Sequence, residues 1–296
     1  MSLPKKLKIA ITTVLLLAIT LAAGTGWASD LDQIKERGVL RHIGIPYANF
    51  VTGHGDGLDV EVMKRFAAHL GVEYQFVKSD WKSLFGDLTG KVVKPNGDTI
   101  EVIGKTAIRG DVVANGLTKL KWRQAVVNYS DPTFPTQVWC IARGDSSLQP
   151  IKSSGSIEQD IKKVKGLLKG QRVMGKNGTC LTPGLYGIDS RMATITNFPG
   201  SLNDIAPAII KGDAEAALLD VPDSLVALNK WPGKIKILGP LSPNQTMGVG
   251  FRKDSPELLK AFNAFFRQLK ESGEYKELVK KYYPAVFRYY SEFFKN

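Results

Sequence analysis

The 296-residue sequence predicts an α/β fold in two lobes. Three observations predict it. β-prone and helix-periodic segments alternate along the chain, a Ser/Gly/Pro-rich stretch over residues 144–155 divides them into two series, and the length suits one large or two medium domains.

The first series opens with "SDLDQIKERG", a short helix capped by Ser29 or Asp30 and closed by Gly38, followed by a strand over 39–45. In "GLDVEVMKRFAAHLGVEYQFV", Met63, Phe66, Ala67 and Leu70 recur at helical spacing. Gly71 ends that helix, and Val72, Tyr74 and Phe76 then alternate as a strand does. A short helix over 81–88 leads to "KVVKPNGDTIEVIGK", where two β-prone runs flank Pro95-Asn96-Gly97-Asp98, the pattern of a hairpin over 92–105. "GDVVANG" and "TQVWCIARGD" read as two more strands. The second series offers a helix over 157–168, the strand "QRVMGK", a Gly178-Thr179 turn, a helix over 202–211, the strand "AEAALLD" and a helix over 222–228. Last comes an amphipathic helix over 256–271, with Leu258, Phe262, Phe265, Phe266 and Leu269 inward, and then a helix over 275–282.

Residues 1–28 have the layout of an export signal: Lys5, Lys6 and Lys8, an apolar run over 9–22, and the small-x-small site Gly26-Trp27-Ala28. No cysteine follows the apolar run to accept a lipid, so a soluble periplasmic protein is expected. The formal net charge of +12 includes the three lysines of this leader, and the other basic residues are scattered over helix faces, not gathered in one arm. That distribution argues against nucleic acid as a partner and suits an anionic ligand or envelope surface.

Cys140 and Cys180 are the only cysteines, and an exported chain with an even count permits a disulfide between them; two buried free thiols are the alternative. With His42, His54 and His69 they show no ligand spacing for zinc, and no metal is expected. "GHGDGL" at 53–58 lacks the third glycine of a dinucleotide loop, and the sequence contains no G-x-S-x-G, H-E-x-x-H or Walker pattern. Neither a cofactor nor a catalytic residue is assigned.

In order along the chain, "GLDVEVMKRFAAHLGVEYQFV", "DWKSLFGDL", "GDVVANGLT", "R-x-x-V-V-N-Y-S-D-P", "GDAEAALLDVP" and "MGVGFRKDSPELLKAFNAFFRQLKESGEYKELVKKYYP" resemble the periplasmic amino-acid-binding proteins of ABC transporters, solute-binding family 3. The resemblance covers nearly all of 30–284. It implies a type II periplasmic binding (Venus-flytrap) fold: lobe 1 over 29–137 with the hairpin 92–105 added, lobe 2 over 138–246, and a return to lobe 1 over 247–296. The two crossing hinge segments would lie near 136–139 and 245–248. It further implies capture of an amino acid or related small carboxylate between the lobes, delivery to a membrane permease, and a monomer.

For the site, the resemblance places Arg123, after Gly116 and Thr118, on the ligand α-carboxylate, which a guanidinium can hold with two parallel donors. Gly116 and Thr118 would add backbone and hydroxyl contacts. Gly178 and Thr179 would hold the other side of the carboxylate at the start of a lobe-2 helix, and Asp220, ending the strand "AEAALLD", would meet the ligand ammonium. Trp81 would wall the ligand side chain, with Phe50 or Tyr47 opposite.

The loop "IPYANFVTGHG" lacks the aspartate expected for a basic ligand, so lysine and arginine are disfavoured. Two other functions share this scaffold. One is a ligand-sensing adaptor for a membrane receptor; the other is a cyclohexadienyl dehydratase, whose acid three residues beyond the lobe-2 aspartate would fall at Asp223, with Asp in place of the expected Glu. The tail "RYYSEFF" is expected to pack on lobe 1.

Overall fold

A computed structural model describes residues 30–295, so the leader expected over 1–28 lies outside the described residues. Helix α1 (Asp30–Arg37), strand β1 (Val39–Gly44), helix α2 (Leu58–Leu70) and strand β2 (Glu73–Lys78) form the first β–α–β unit. Gly71 closes α2 in the left-handed conformation, φ +72°, with its N–H returned to the carbonyls of Ala67 and Ala68. Asp30, read as a cap for its own helix, accepts instead from the Leu258 amide in the first turn of a helix far along the chain.

Helix α3 (Leu84–Thr89) starts later than its expected 81–88 because Asp80 first accepts from the amides of Lys82 and Ser83 in a turn. The hairpin follows as β3 (Lys91–Asn96) and β4 (Thr99–Lys105), joined through Gly97-Asp98 with Gly97 at φ +59°. Strand β5 (Val112–Val113), helix α4 (Lys121–Val126) and strand β6 (Asn128–Tyr129) complete this half. The first sheet runs β2-β1-β5-β14-β6, where β14 (Gly250–Phe251) arrives from far along the chain and lies antiparallel to both neighbours.

The second sheet runs β10-β9-β11-β8-β12: β8 (Val138–Arg143), β9 (Arg172–Gly175), β10 (Thr194–Asn197), β11 (Ala216–Asp220) and β12 (Ile235–Pro240). Helices α5 (Ile157–Leu167), α6 (Ile205–Lys211) and α7 (Val221–Lys230) accompany it. Strand β8 is antiparallel to β11 and β12, whereas β9 is parallel to β10 and β11. Each sheet thus takes one element from the opposite direction of travel, as a chain that leaves one lobe and later re-enters it must.

Between the sheets the two passages pair as an antiparallel ribbon, β7 (Phe134–Thr136) with β13 (Gln245–Met247). The last helices, α8 (Pro256–Glu271) and α9 (Glu274–Tyr282), return to the first lobe, and α8 buries the five residues its periodicity predicts. The aromatic tail meets the expected lobe 1 through Phe293 and Phe294, and it also reaches beyond it. Phe294 packs on Phe134 of the ribbon, Tyr289 on Trp139 of β8, and the turn Pro284–Arg288 on α7, so the tail straddles the passage between lobes.

Candidate functional site

The cleft between the lobes is built from the C-terminal ends of β5 and β11 and the loops that follow them. Helix α4 presents Arg123, whose residue is 0% exposed. Its Nη1 donates to the Thr118 carbonyl at 3.1 Å, while Nε and Nη2 are buried without a partner. Around the guanidinium stand the rings of Trp122, Trp81 and Phe85, at 5.4, 5.5 and 6.0 Å. The Thr118 hydroxyl is likewise buried and unpartnered, and its carbonyl also accepts from Tyr129 Oη at 3.0 Å. Orphaned buried donors are rare in folded proteins, and several at one point mark a place where a ligand group belongs.

Asp220 faces this point from lobe 2 and is 1% exposed. It is the N-cap of α7, accepting from the Asp223 amide at 3.4 Å, and it also accepts from Tyr47 Oη across the cleft and from Cys180 Sγ at 3.6 Å. Burial pushes its carboxyl up to about 6, against the pull of the Tyr47 hydroxyl and the positive field of Arg123. No direct ion pair joins Arg123 to Asp220 among the described residues. The cleft therefore holds a cation and an acid that sense each other without touching.

Several expected residues stand elsewhere. Tyr47 does line the cleft, edge-on to Trp81 with ring centres 5.9 Å apart, but its polar end is committed to Asp220. Phe50 lies behind it in the core, against Phe134 and Tyr283, and under Gly116, where a Cβ would sit 2.4 Å from its ring. The Gly116 amide donates to the buried Asp59 carboxylate at 2.6 Å and is not free for a ligand. Burial pushes Asp59 up to about 7 despite that bond. Gly178 and Thr179 open no α-helix: Pro183–Tyr186 forms only a 3₁₀ turn, and Thr179 Oγ1 bridges the Lys176 carbonyl and the Leu181 amide. Proline at position 183 and glycine at 184 do not sustain a longer helix.

In place of a disulfide, Cys140 and Cys180 are free, buried thiols. Cys140 is enclosed in β8, whereas Cys180 turns toward Asp220, and burial pushes both up to about 12. Sequence reasoning did not place Tyr129 or Asp59 at the site, and it read Cys180 only as a possible disulfide partner or a buried thiol.

A cavity of about 840 Å³ opens beside the cleft and is lined by Trp81, Gly178, the hairpin and the loop at 199–201, but by neither Arg123 nor Asp220. Asp223, three residues beyond Asp220, faces a different space of about 300 Å³ with Asn203, Lys230 and Trp231. Its Oδ2 has no partner, and burial, then the charge of Asp220, holds its carboxyl well above the usual carboxylate range.

Comparison with known proteins places this geometry. The chain is 24% identical over 285 residues to the membrane-bound lytic murein transglycosylase F of Desulfosudis oleivorans, covering 93% of this chain but only 56% of that protein. It is 27% identical over 284 residues to the L-cystine-binding protein TcyJ of Escherichia coli (strain K12), covering 91% and 93% of the two chains. Among solved structures, a mutant of ArgBP from T. maritima superposes with a TM-score of 0.67 at 26% identity, over 86% of this chain and 99% of the other. These neighbours share the two-lobed type II periplasmic binding fold. Residues 104–285 match the description of bacterial extracellular solute-binding proteins, family 3, and the chain belongs to that family.

Proposed function

We propose that this protein is a periplasmic receptor that captures an amino acid, or a related small carboxylate, between its lobes and delivers it to an ABC-transporter permease. The observation that carries the reading is the buried Arg123 guanidinium with Nε and Nη2 unpartnered, faced across the cleft by the Asp220 carboxyl. A zwitterion satisfies both at once. Its carboxylate accepts from Arg123 and the Thr118 hydroxyl, and its ammonium takes the place of the missing counter-charge at Asp220. Trp81 then stands against the side chain.

The lobes at 29–137 with 247–296, and at 138–246, would rotate about the β7–β13 ribbon, and ligand would select the closed form in proportion to its differential affinity for it. The curated relatives named for binding are consistent with a receptor. The acid at the position a dehydratase would need, Asp223, carries the shorter Asp side chain and lines the space with Asn203 and Trp231, which favours capture over catalysis.

Thermal unfolding after denaturation and refolding to strip bound ligand tests this against amino acids and small carboxylates. A ligand at ~1,000 times its Kd stabilises by about 4 kcal/mol. One ligand class should shift the transition, and Arg123→Ala and Asp220→Ala should each abolish that shift. A panel with no shift at all removes the proposal.

A further inference from the structure

The hairpin β3–β4 is additional to the segments that carry the family resemblance, and it forms one wall of the 840 Å³ cavity through Val93, Pro95 and Ile103. Ile103 is 56% exposed and gives this wall an apolar surface that a ligand can reach. The opposite walls are Trp81, Phe85 and Trp122, the same three rings that surround the Arg123 guanidinium. The cavity thus adjoins the seat of the ligand head. Its volume lies in the range that holds drug-sized molecules, well beyond one amino-acid side chain.

Charge in the cavity has one predominant sign. Lys78, Lys82 and Lys94 line it from lobe 1 and Lys176 from lobe 2, against the single carboxylate of Asp80. Asp80 is engaged by the Lys82 and Ser83 amides, and Lys176 Nζ by the carbonyls of Phe198 and Gly200. Lys78, Lys82 and Lys94 form no ion pair among the described residues. A cleft with apolar walls and uncompensated cations concentrates an anion. The hairpin is also tied to the helix of Arg123, because Lys121 Nζ meets Asp98 Oδ2 at 3.0 Å at the hairpin turn.

We infer that the hairpin adds a second compartment to the cleft, which takes the far end of an amino acid whose long side chain has an apolar portion and ends in an anion. The inference rests on the reading that Arg123 and Asp220 hold the head of that amino acid. A γ-glutamyl conjugate of an apolar amino acid has this shape: a free α-amino-acid head, a long arm, an apolar group and a terminal carboxylate.

The test is calorimetry of the ligand-stripped protein with glutamate, phenylalanine, γ-glutamylphenylalanine and the amide of that conjugate, which lacks the terminal charge. The conjugate should bind about tenfold more tightly than its amide or either free amino acid. The triple variant Lys78→Ala, Lys82→Ala, Lys94→Ala changes only exposed side chains, and it should lose the preference for acid over amide. Shortening the hairpin to a Gly-Gly turn should remove the gain of the conjugate over glutamate. Equal binding of acid and amide, or a preference that survives the triple variant, overturns the inference. If free amino acids bind through Arg123 and the conjugate does not, the compartment falls and the head assignment stands. If no amino acid or conjugate binds, both fall.

Discussion

The burial of Arg123 is offset only in part: one of its donors is used and three aromatic rings face the guanidinium, but no carboxylate pairs with it among the described residues. Even a buried ion pair can often be replaced by apolar residues of similar volume at no loss, or with a gain of about 1–4 kcal/mol, and an unpaired buried charge has less Coulombic attraction to give up. Arg123→Met is therefore expected to unfold at the same temperature as the parent or a higher one without ligand, and to show no ligand-induced shift. A large loss of stability without ligand would mean the guanidinium is structural. Asp220 gives a second prediction, in pH. With its carboxyl raised to about 6, the free protein holds a proton there below that value, and an ammonium ligand must expel it. Affinity should accordingly rise with pH by up to about tenfold per unit toward pH 6 and level off above it. Asp220→Asn should bind more weakly with a flat profile, and a steep profile in that variant would assign the titration elsewhere. At this scale the sequence disclosed less than its residue types suggest. Arg123 and Asp220 were placed by the order of the surrounding segments. The commitment of Tyr47 to Asp220, of the Gly116 amide to Asp59 and of Phe50 to the core depends on side-chain directions that no spacing encodes.

Elements were more legible than sites, and the failures have local causes. Helices α2 and α8 announce themselves through long apolar periodicity, and the hairpin through Asn96-Gly97 between β-prone runs, because each signal is complete within its own segment. The helix expected after Gly178-Thr179 is a 3₁₀ turn, and the strand expected in "GDVVANG" shrinks to the two residues of β5, because a strand's length is set by its neighbours in the sheet. The tail reaches beyond its expected place on lobe 1, because its packing partners come from elements distant in the chain. Three of its rings contact residues of the ribbon or β8, or their own neighbours, and Phe294 is 6% exposed against Phe134 and Phe287. Phe294→Ala should lower stability by about 3 kcal/mol, the low end for a buried phenylalanine because the chain end can partly collapse into the space. Urea unfolding would register this as a lower midpoint with an unchanged slope, and an unchanged midpoint would show that the tail is not docked in solution.

At the scale of the whole molecule, two hydrogen bonds among the described residues span the cleft away from the ribbon and favour closure: Tyr47 Oη to Asp220, and the Ala48 amide to Asn203 Oδ1 at 2.8 Å. Each such bond contributes about 1 kcal/mol net, enough to shift an open-to-closed ratio about fivefold. Asn203 separates closure from ligand contact, since its partner is a backbone amide and it has no place beside Arg123 or Trp81. Asn203→Ala should hence increase the radius of gyration of the ligand-free protein in small-angle scattering, leave that of the saturated complex unchanged, and weaken ligand binding by the same factor as the lost closed population. The three readouts are linked, because a ligand that binds only the closed form gives up whatever free energy closure then costs. A ligand-free radius that does not move would place the balance between open and closed forms in the β7–β13 ribbon and the straddling tail, not in the contacts across the cleft.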